Sequence, residues 1–61
     1  MMKGTRHGVI RDVIQRESIT SQEMLRQRLR AEGVEVTQAT LSRDLREMGV
    51  VKRASDGAYQ R

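Results

Sequence analysis

The sequence predicts a mainly α-helical domain in which three short helices are followed by a small β-hairpin. Apolar residues recur at helical spacing in three segments, and two brief β-like runs flank Asp56-Gly57 near the end. The 61 residues allow one small domain at most, which covers residues 1–61. Because cysteine is absent, neither a disulfide nor a thiolate metal site can stabilise it. Stability must therefore come from well-formed helices around a compact apolar cluster.

The first helix is predicted from the spacing of Val9, Ile10, Val13 and Ile14, which places these side chains on one helical face. The pattern fades at residues 16–18. Four charged residues lie off that face: Lys3, Arg6, Arg11 and Asp12.

A second helix is predicted to begin at a capping box formed by Thr20 and Glu23, after a short extended connection through Ile19. Gly33 is the predicted stop after its last turn. Its inward residues are Met24, Leu25 and Leu29.

The third helix is predicted to begin after an N-cap at Thr37, with Val36 packing just before it, and to run to Met48 and stop at Gly49. The hairpin that follows consists of "VVKR" (50–53), "ASDG" (54–57) and "AYQR" (58–61), with Tyr59 packing it onto the helices. The predicted order of elements is that of a winged helix-turn-helix: helix, short connection, helix, turn, helix and hairpin.

The third helix is strongly two-sided. At about 100° per residue, Leu41, Leu45 and Met48 fall within one narrow arc that must face the core. The predicted outward face comprises Gln38, Ala39, Ser42, Arg43 and Arg46.

These outward residue types suit a DNA major groove. Glutamine can bond adenine in a bidentate manner, arginine can bond guanine, serine can bond base or phosphate, and alanine can touch a thymine methyl. We therefore expect Gln38, Ala39, Ser42 and Arg43 to contact bases. Thr37 and Thr40 carry hydroxyls near the helix N-terminus, where free N–H groups favour phosphate.

Further candidates for contact with the DNA backbone lie outside the base-reading positions. They are Lys3, Arg6, Ser21, Gln22, Arg46, Lys52 and Arg53, besides Thr37 and Thr40. Each also has an ordinary interpretation: a solvated terminus for Lys3 and Arg6, helix capping for Ser21 and Gln22, and protection of a strand edge for Lys52 and Arg53.

Composition supports a polyanionic partner without proving one. Lysine and arginine number 12 against 8 aspartate and glutamate, for a net charge of +4. No apolar run approaches the roughly 20 residues that span a bilayer, and no signal peptide is apparent, so we expect a cytoplasmic protein without a membrane partner. His7 is the sole histidine, which makes a metal site improbable. Nothing indicates catalysis, and we expect no enzyme.

Other interpretations remain open. The polar face of the third helix could simply be solvated, with Asp44 and Glu47 as ordinary surface acids. The domain could instead be a protein-interaction module. It could also bind nucleic acid or anionic lipid without sequence preference.

The segment "VTQATLSRDLREMGVVK" (36–52) resembles the signature of the bacterial arginine repressor family in its N-terminal DNA-binding domain. The stretches "KGTRHGVIRDVI" (3–14) and "SQEMLRQRLRAEGVEVTQAT" (21–40) fit the same domain, so the resemblance covers nearly the whole chain. It implies a winged helix-turn-helix whose operator-contacting Ser-Arg pair matches Ser42 and Arg43, with Gln38 at the helix start.

The resemblance also implies a role. Members of the family bind imperfect palindromic operators and regulate genes of arginine biosynthesis and catabolism. Their separate C-terminal domain assembles hexamers and binds L-arginine as co-repressor. Since that domain is not among these residues, we expect no cofactor here, and we expect the domain to be a monomer in isolation within a hexameric parent.

Overall fold

The computed structural model describes residues 3–60 and contains three helices and one hairpin. Helix α1 spans Lys3–Arg16, α2 spans Gln22–Ala31 and α3 spans Gln38–Met48, followed by strands β1, Val51–Lys52, and β2, Tyr59–Gln60. The predicted element order and the winged helix-turn-helix fold are confirmed. Arg61, the last residue of the predicted hairpin, lies outside the described residues.

Helix α1 presents the apolar face that its spacing predicts. Ile10, Val13 and Ile14 are buried, and Val9 packs against them at the edge of the core. Burying aliphatic side chains of this size stabilises a fold by roughly 1.5–3 kcal/mol each. In a chain this short, these few residues therefore account for much of the driving force that holds α1 in place.

Helix α2 begins one residue later than predicted, and its N-cap is Ser21 rather than Thr20. The Ser21 hydroxyl accepts a hydrogen bond of 3.1 Å from the Met24 amide N–H. Ile19 explains the shift: its side chain is buried, and its carbonyl accepts 2.8 Å from the Tyr59 N–H. This anchor keeps the chain extended through Thr20, so that the next hydroxyl, Ser21, becomes the cap.

Both α2 and α3 end in the same hydrogen-bonded turn, as predicted from their glycines. Gly33 and Gly49 adopt left-handed φ values of 84° and 71°. Beyond them, Val34 donates to the Leu29 carbonyl at 2.8 Å and Val50 donates to the Leu45 carbonyl at 2.9 Å. Both valines are buried against the core, which is the apolar contact that accompanies a Schellman ending.

The start of α3 and its inward face also match the prediction. The Thr37 hydroxyl accepts 3.2 Å from the Thr40 N–H as the N-cap. Leu41 is 0% exposed and Leu45 is 5% exposed, whereas Met48 packs at the edge of the core.

Several core residues were not predicted because they lie outside the helices, in connecting segments or at the start of the short hairpin runs. Ile19, Val34, Val50 and Ala58 are all buried. A single apolar residue in a turn carries no periodicity, so a spacing argument cannot distinguish it from an exposed one.

The hairpin forms the wing and is tied to the helices through its second strand. The strands pair antiparallel with Val51 opposite Gln60 and Lys52 opposite Tyr59. The Arg53 N–H donates to the Ala58 carbonyl at 2.8 Å and closes the loop 54–57. Tyr59 is buried and bonded to Ile19, which confirms that it packs the hairpin onto the helices.

Candidate nucleic-acid interface

The outward face of α3 is turned to solvent. Gln38, Ala39, Arg43 and Arg46 are exposed, and Ser42 is half-buried at the edge of this face. The orientation follows from Leu41 and Leu45, whose burial leaves the opposite side of the helix free. The predicted orientation of α3 is therefore confirmed, while DNA contact by these residues stays a prediction.

Most cations elsewhere on the domain have an acidic partner within 4.0 Å. These pairs are Lys3–Glu47, Arg6–Asp44, Arg16–Glu32, Arg26–Glu23, Arg28–Glu17, Arg30–Glu35 and Arg53–Asp56. Among residues 3–60, only Arg11, Arg43, Arg46 and Lys52 lack such a partner. Two of these four lie on the outward face of α3 and one on β1, so the uncompensated charge is concentrated on the recognition helix and wing.

Two of the cations predicted to contact phosphate, Lys3 and Arg53, each form an exposed ion pair with a carboxylate of their own. The Lys3 ammonium lies 3.0 Å from Glu47, and the Arg53 guanidinium donates 2.7 Å to Asp56. Exposed pairs of this kind contribute about 0–1 kcal/mol, so a phosphate could replace either carboxylate at little cost. Lys52 differs, since its ammonium lies 5.5 Å from the centroid of the Tyr59 ring and pairs with no acid among the residues that the structure describes.

The hydroxyl and amide candidates near the helix starts are largely engaged within the protein. Thr37 donates its hydroxyl proton to the Thr40 hydroxyl at 3.0 Å and caps α3 with its lone pairs. Ser21 caps α2 in the same manner. The Gln22 side chain accepts from the Ser42 hydroxyl at 2.9 Å. Of this group, the Thr40 hydroxyl keeps its own proton available.

Asp44 is the main departure from the sequence analysis, which treated it as a surface acid. It is 1% exposed, and the Arg6 guanidinium forms a two-point bond to its carboxylate, with Arg6 Nη2 donating 2.9 Å to Oδ1. His7 Nε2 lies 3.0 Å from the same oxygen. The position of Asp44 on the wheel, three residues after Leu41 and four before Met48, could have indicated a place beside the apolar arc.

This pairing also changes the interpretation of Arg6. Its side chain is only 17% exposed, and its fork is filled by Asp44, so its observed role is to join α1 to α3. The hydrogen bond from Arg6 lowers the pKa of Asp44, burial opposes that shift, and His7 reinforces it. The same bond raises the pKa of Arg6.

His7, Asp44 and Glu47 bring three possible metal-ligating atoms within 4.8 Å of one another. Both carboxylates are already bonded to cations, Asp44 to Arg6 and Glu47 to Lys3. The cluster is therefore best described as an ion-pair network between α1 and α3. A divalent cation would have to displace those partners.

The lowered pKa of Asp44 predicts a loss of stability in acid. Because ionised Asp44 is favoured in the folded state, its contribution is present above the unfolded pKa of about 3.9 and is lost as the pH falls through the lower folded pKa. We expect the free energy of unfolding, measured with urea, to fall between pH 5 and pH 2. Asp56→Asn should remove only the part that comes from Asp56, an exposed group whose pKa the Ala58 N–H and Arg53 also lower, and retain the part that comes from Asp44. An unfolding free energy independent of pH in this range would contradict the assignment.

Comparison with known proteins identifies the family. The family profile described as "Arginine repressor, DNA binding domain" matches residues 1–60. The chain belongs to this family. The match covers all three helices and the hairpin.

Individual arginine repressors are also similar in sequence to this domain. It is 45% identical over 60 residues to an arginine repressor of Chlorobium chlorochromatii, an alignment that covers 98% of this chain and 40% of the relative. It is 48% identical over 61 residues to one from Chlorobaculum tepidum, covering 98% and 41%. A relative from Heliobacterium modesticaldum is 51% identical over 51 residues, covering 84% and 34%. The chain thus spans about two fifths or less of these relatives.

The family description is that of a DNA-binding domain, which supports a regulator rather than an enzyme at the level of the family. Among residues 3–60, no helix has both the length and the apolar character that crossing a membrane requires.

Proposed function

We propose that this domain binds double-stranded DNA in a sequence-specific manner by placing α3 in the major groove. Gln38, Ala39, Ser42 and Arg43 would face the bases. The observation that carries the proposal is the charge distribution: among residues 3–60, Arg43 and Arg46 stand on an exposed helix face without acidic partners, while most other cations are paired. A surface evolved only for solvation has no need of such a separation.

Phosphate contacts are proposed on both sides of this helix. Arg46 and Lys52 are exposed and have no acidic partner within the described part of the chain, and Thr40 offers a hydroxyl near the α3 N-terminus. Lys3 and Arg53 could join them by exchanging a carboxylate for a phosphate. For Arg6, Ser21, Gln22 and Thr37, the observed bonds favour roles within the fold instead.

The biological role follows from the family. We propose that the domain reads operator half-sites of an imperfect palindrome and takes part in cytoplasmic repression of genes of arginine metabolism. L-Arginine binding and hexamer assembly would then belong to the part of the longer relatives that this chain does not cover.

Selection from a duplex library with a randomised centre tests the proposal and identifies the preferred sequence in the same experiment. The 61-residue chain should enrich a defined sequence at low salt and bind it more tightly than a scrambled duplex of equal length. Equal affinity for both duplexes would favour a non-specific binder. Absence of binding to any duplex would favour a protein-interaction module.

Arg46→Ala should weaken binding to the selected and scrambled duplexes by the same factor. Arg46 is expected to neutralise a phosphate, and phosphate contacts carry no direct sequence information. The slope of log affinity against log salt concentration should become shallower by about 1. Fluorescence anisotropy titrations at several salt concentrations would measure both quantities. A loss confined to the selected duplex would instead place Arg46 against a base.

A further inference from the structure

Gln22 lies where three elements of the fold meet. It is the first residue of α2, its side chain is half-buried, and it accepts a hydrogen bond of 2.9 Å from the Ser42 hydroxyl on α3. Burial raises the pKa of the Tyr59 hydroxyl on β2, and the same Gln22 side chain partly lowers it. The observed hydrogen bond of Gln22 therefore joins α2 to α3.

The two ends of this amide have opposite roles. A primary amide has an oxygen that only accepts and a nitrogen that only donates. The oxygen is taken by Ser42. Burial raises the pKa of the Tyr59 hydroxyl, and the Gln22 side chain offsets part of that rise, which is the effect of a donor. The observed bond thus engages the amide oxygen with Ser42 and leaves the amide nitrogen for other partners.

This orientation has a consequence for Ser42. A serine hydroxyl has one proton and two lone pairs, and Ser42 gives its proton to Gln22. What remains for a partner outside the protein is acceptor capacity alone. Phosphate oxygens and the guanine N7 and O6 atoms are themselves acceptors, so none of them can bond to Ser42 in this state.

We propose that Gln22 is a positioning residue that makes Ser42 an acceptor-only contact, so that Ser42 reads the exocyclic amino group of adenine or cytosine. Adenine N6 and cytosine N4 are the donors that the major groove exposes. The inference rests on the proposed function, because it requires α3 to enter that groove. It changes the expected role of Gln22 from a phosphate contact to a determinant of base preference.

The test uses the duplex selected with the wild-type chain and base analogues that lack one amino group. At each adenine or cytosine, purine replaces adenine or pyrimidin-2-one replaces cytosine, and the affinity loss is measured. At one position the wild-type chain should bind the duplex with the analogue roughly fivefold more weakly than the duplex with the natural base. Ser42→Ala should bind these two duplexes with equal affinity. The base found at that position distinguishes adenine from cytosine.

Variants of Gln22 then separate positioning from mere packing. Gln22→Leu frees the Ser42 proton, so the hydroxyl can also donate, and the penalty for a base that presents an acceptor at that position (thymine O4 or guanine O6) should shrink while the penalties at other positions stay. Gln22→Glu keeps an acceptor for Ser42 and should retain the penalty, even if overall affinity falls through added negative charge. Circular dichroism spectra of both variants would show whether the helices are intact.

A second readout needs no DNA. Tyr59 is the only tyrosine and tryptophan is absent, so ultraviolet titration reports this residue alone. The pKa of Tyr59 should rise further in Gln22→Leu and Gln22→Glu, since both lose the amide donor. A fall in that pKa would overturn the assigned orientation.

Three results would overturn the inference. In the first, Ser42→Ala weakens every duplex equally, which places Ser42 on a phosphate. In the second, Gln22→Leu discriminates against an acceptor-bearing base at that position as strongly as the wild-type chain does. In the third, the wild-type chain enriches no sequence, and this result alone also overturns the proposed function.

Discussion

Arg43→Ala is expected to remove most of the preference for the selected duplex while leaving weak binding to any duplex. A two-point bond from arginine to guanine contributes about 1–3 kcal/mol of discrimination, so the ratio of affinities for selected and scrambled duplexes should fall roughly 5- to 150-fold. The phosphate contacts that supply non-specific affinity remain. Competition titrations with both duplexes at one fixed salt concentration would measure the ratio.

Arg30→Ala is a matched control for this result. It removes the same charge from an arginine whose side chain is 77% exposed, in the last turn of α2, where Glu35 is its partner. The ratio of its affinities for the selected and scrambled duplexes should stay close to that of the wild type. If Arg43→Ala and Arg30→Ala lowered affinity for both duplexes in parallel, base reading by Arg43 would be refuted.

Asp44→Ala is expected to produce the largest loss of stability of any single substitution considered. Removing one partner of a buried ion pair costs about 3–5 kcal/mol, because the other charge is left buried without compensation. Arg6 would be in that position, with its side chain mostly covered and no second acid bonded to it among residues 3–60. At roughly 0.05–0.15 kcal/mol per residue, a domain of 61 residues has about 3–9 kcal/mol of stability, so a loss of this size would remove a large share of it. Urea unfolding followed by circular dichroism would measure it.

Asp12→Ala removes the same charge from an exposed position on α1 and provides the comparison. Asp12 has no ion-pair partner among residues 3–60, so its replacement should change the free energy of unfolding by less than about 0.5 kcal/mol. Similar unfolding midpoints for the two variants would show that Asp44 is not the buried anchor described here.

Replacing both members of the Arg6–Asp44 ion pair tests whether the stability lost in Asp44→Ala comes from the charge that is left without a partner. Changing both Arg6 and Asp44 to leucine removes both charges and should recover part of the stability lost in Asp44→Ala, since apolar groups can replace a buried pair at little net cost. The recovered variant would also show whether the pair orients the neighbouring Arg43. A lower preference ratio in a folded double variant would mean that α1 positions the recognition helix through Asp44.

Local sequence patterns determined the elements of this domain and the side of α3 that faces solvent. The spacing of Leu41, Leu45 and Met48, the cap at Thr37 and the stop at Gly49 each act within a few residues, so they could be predicted from the sequence alone. The resemblance to the arginine repressors added the expected use of that face in DNA contact, which stays a prediction, and the family match supports DNA binding by the domain as a whole.

Tertiary structure decided which polar groups are engaged and which are free. Asp44 meets Arg6 from 38 residues away, Ser42 meets Gln22 from 20 residues away, and the bond between Ile19 and Tyr59 moves the α2 cap from Thr20 to Ser21. The spacing of residues within a helix predicts only the direction in which a side chain points. Whether that side chain then meets water, a carboxylate or an amide depends on how distant segments of the chain pack, because solvent is removed only where two protein surfaces come into contact.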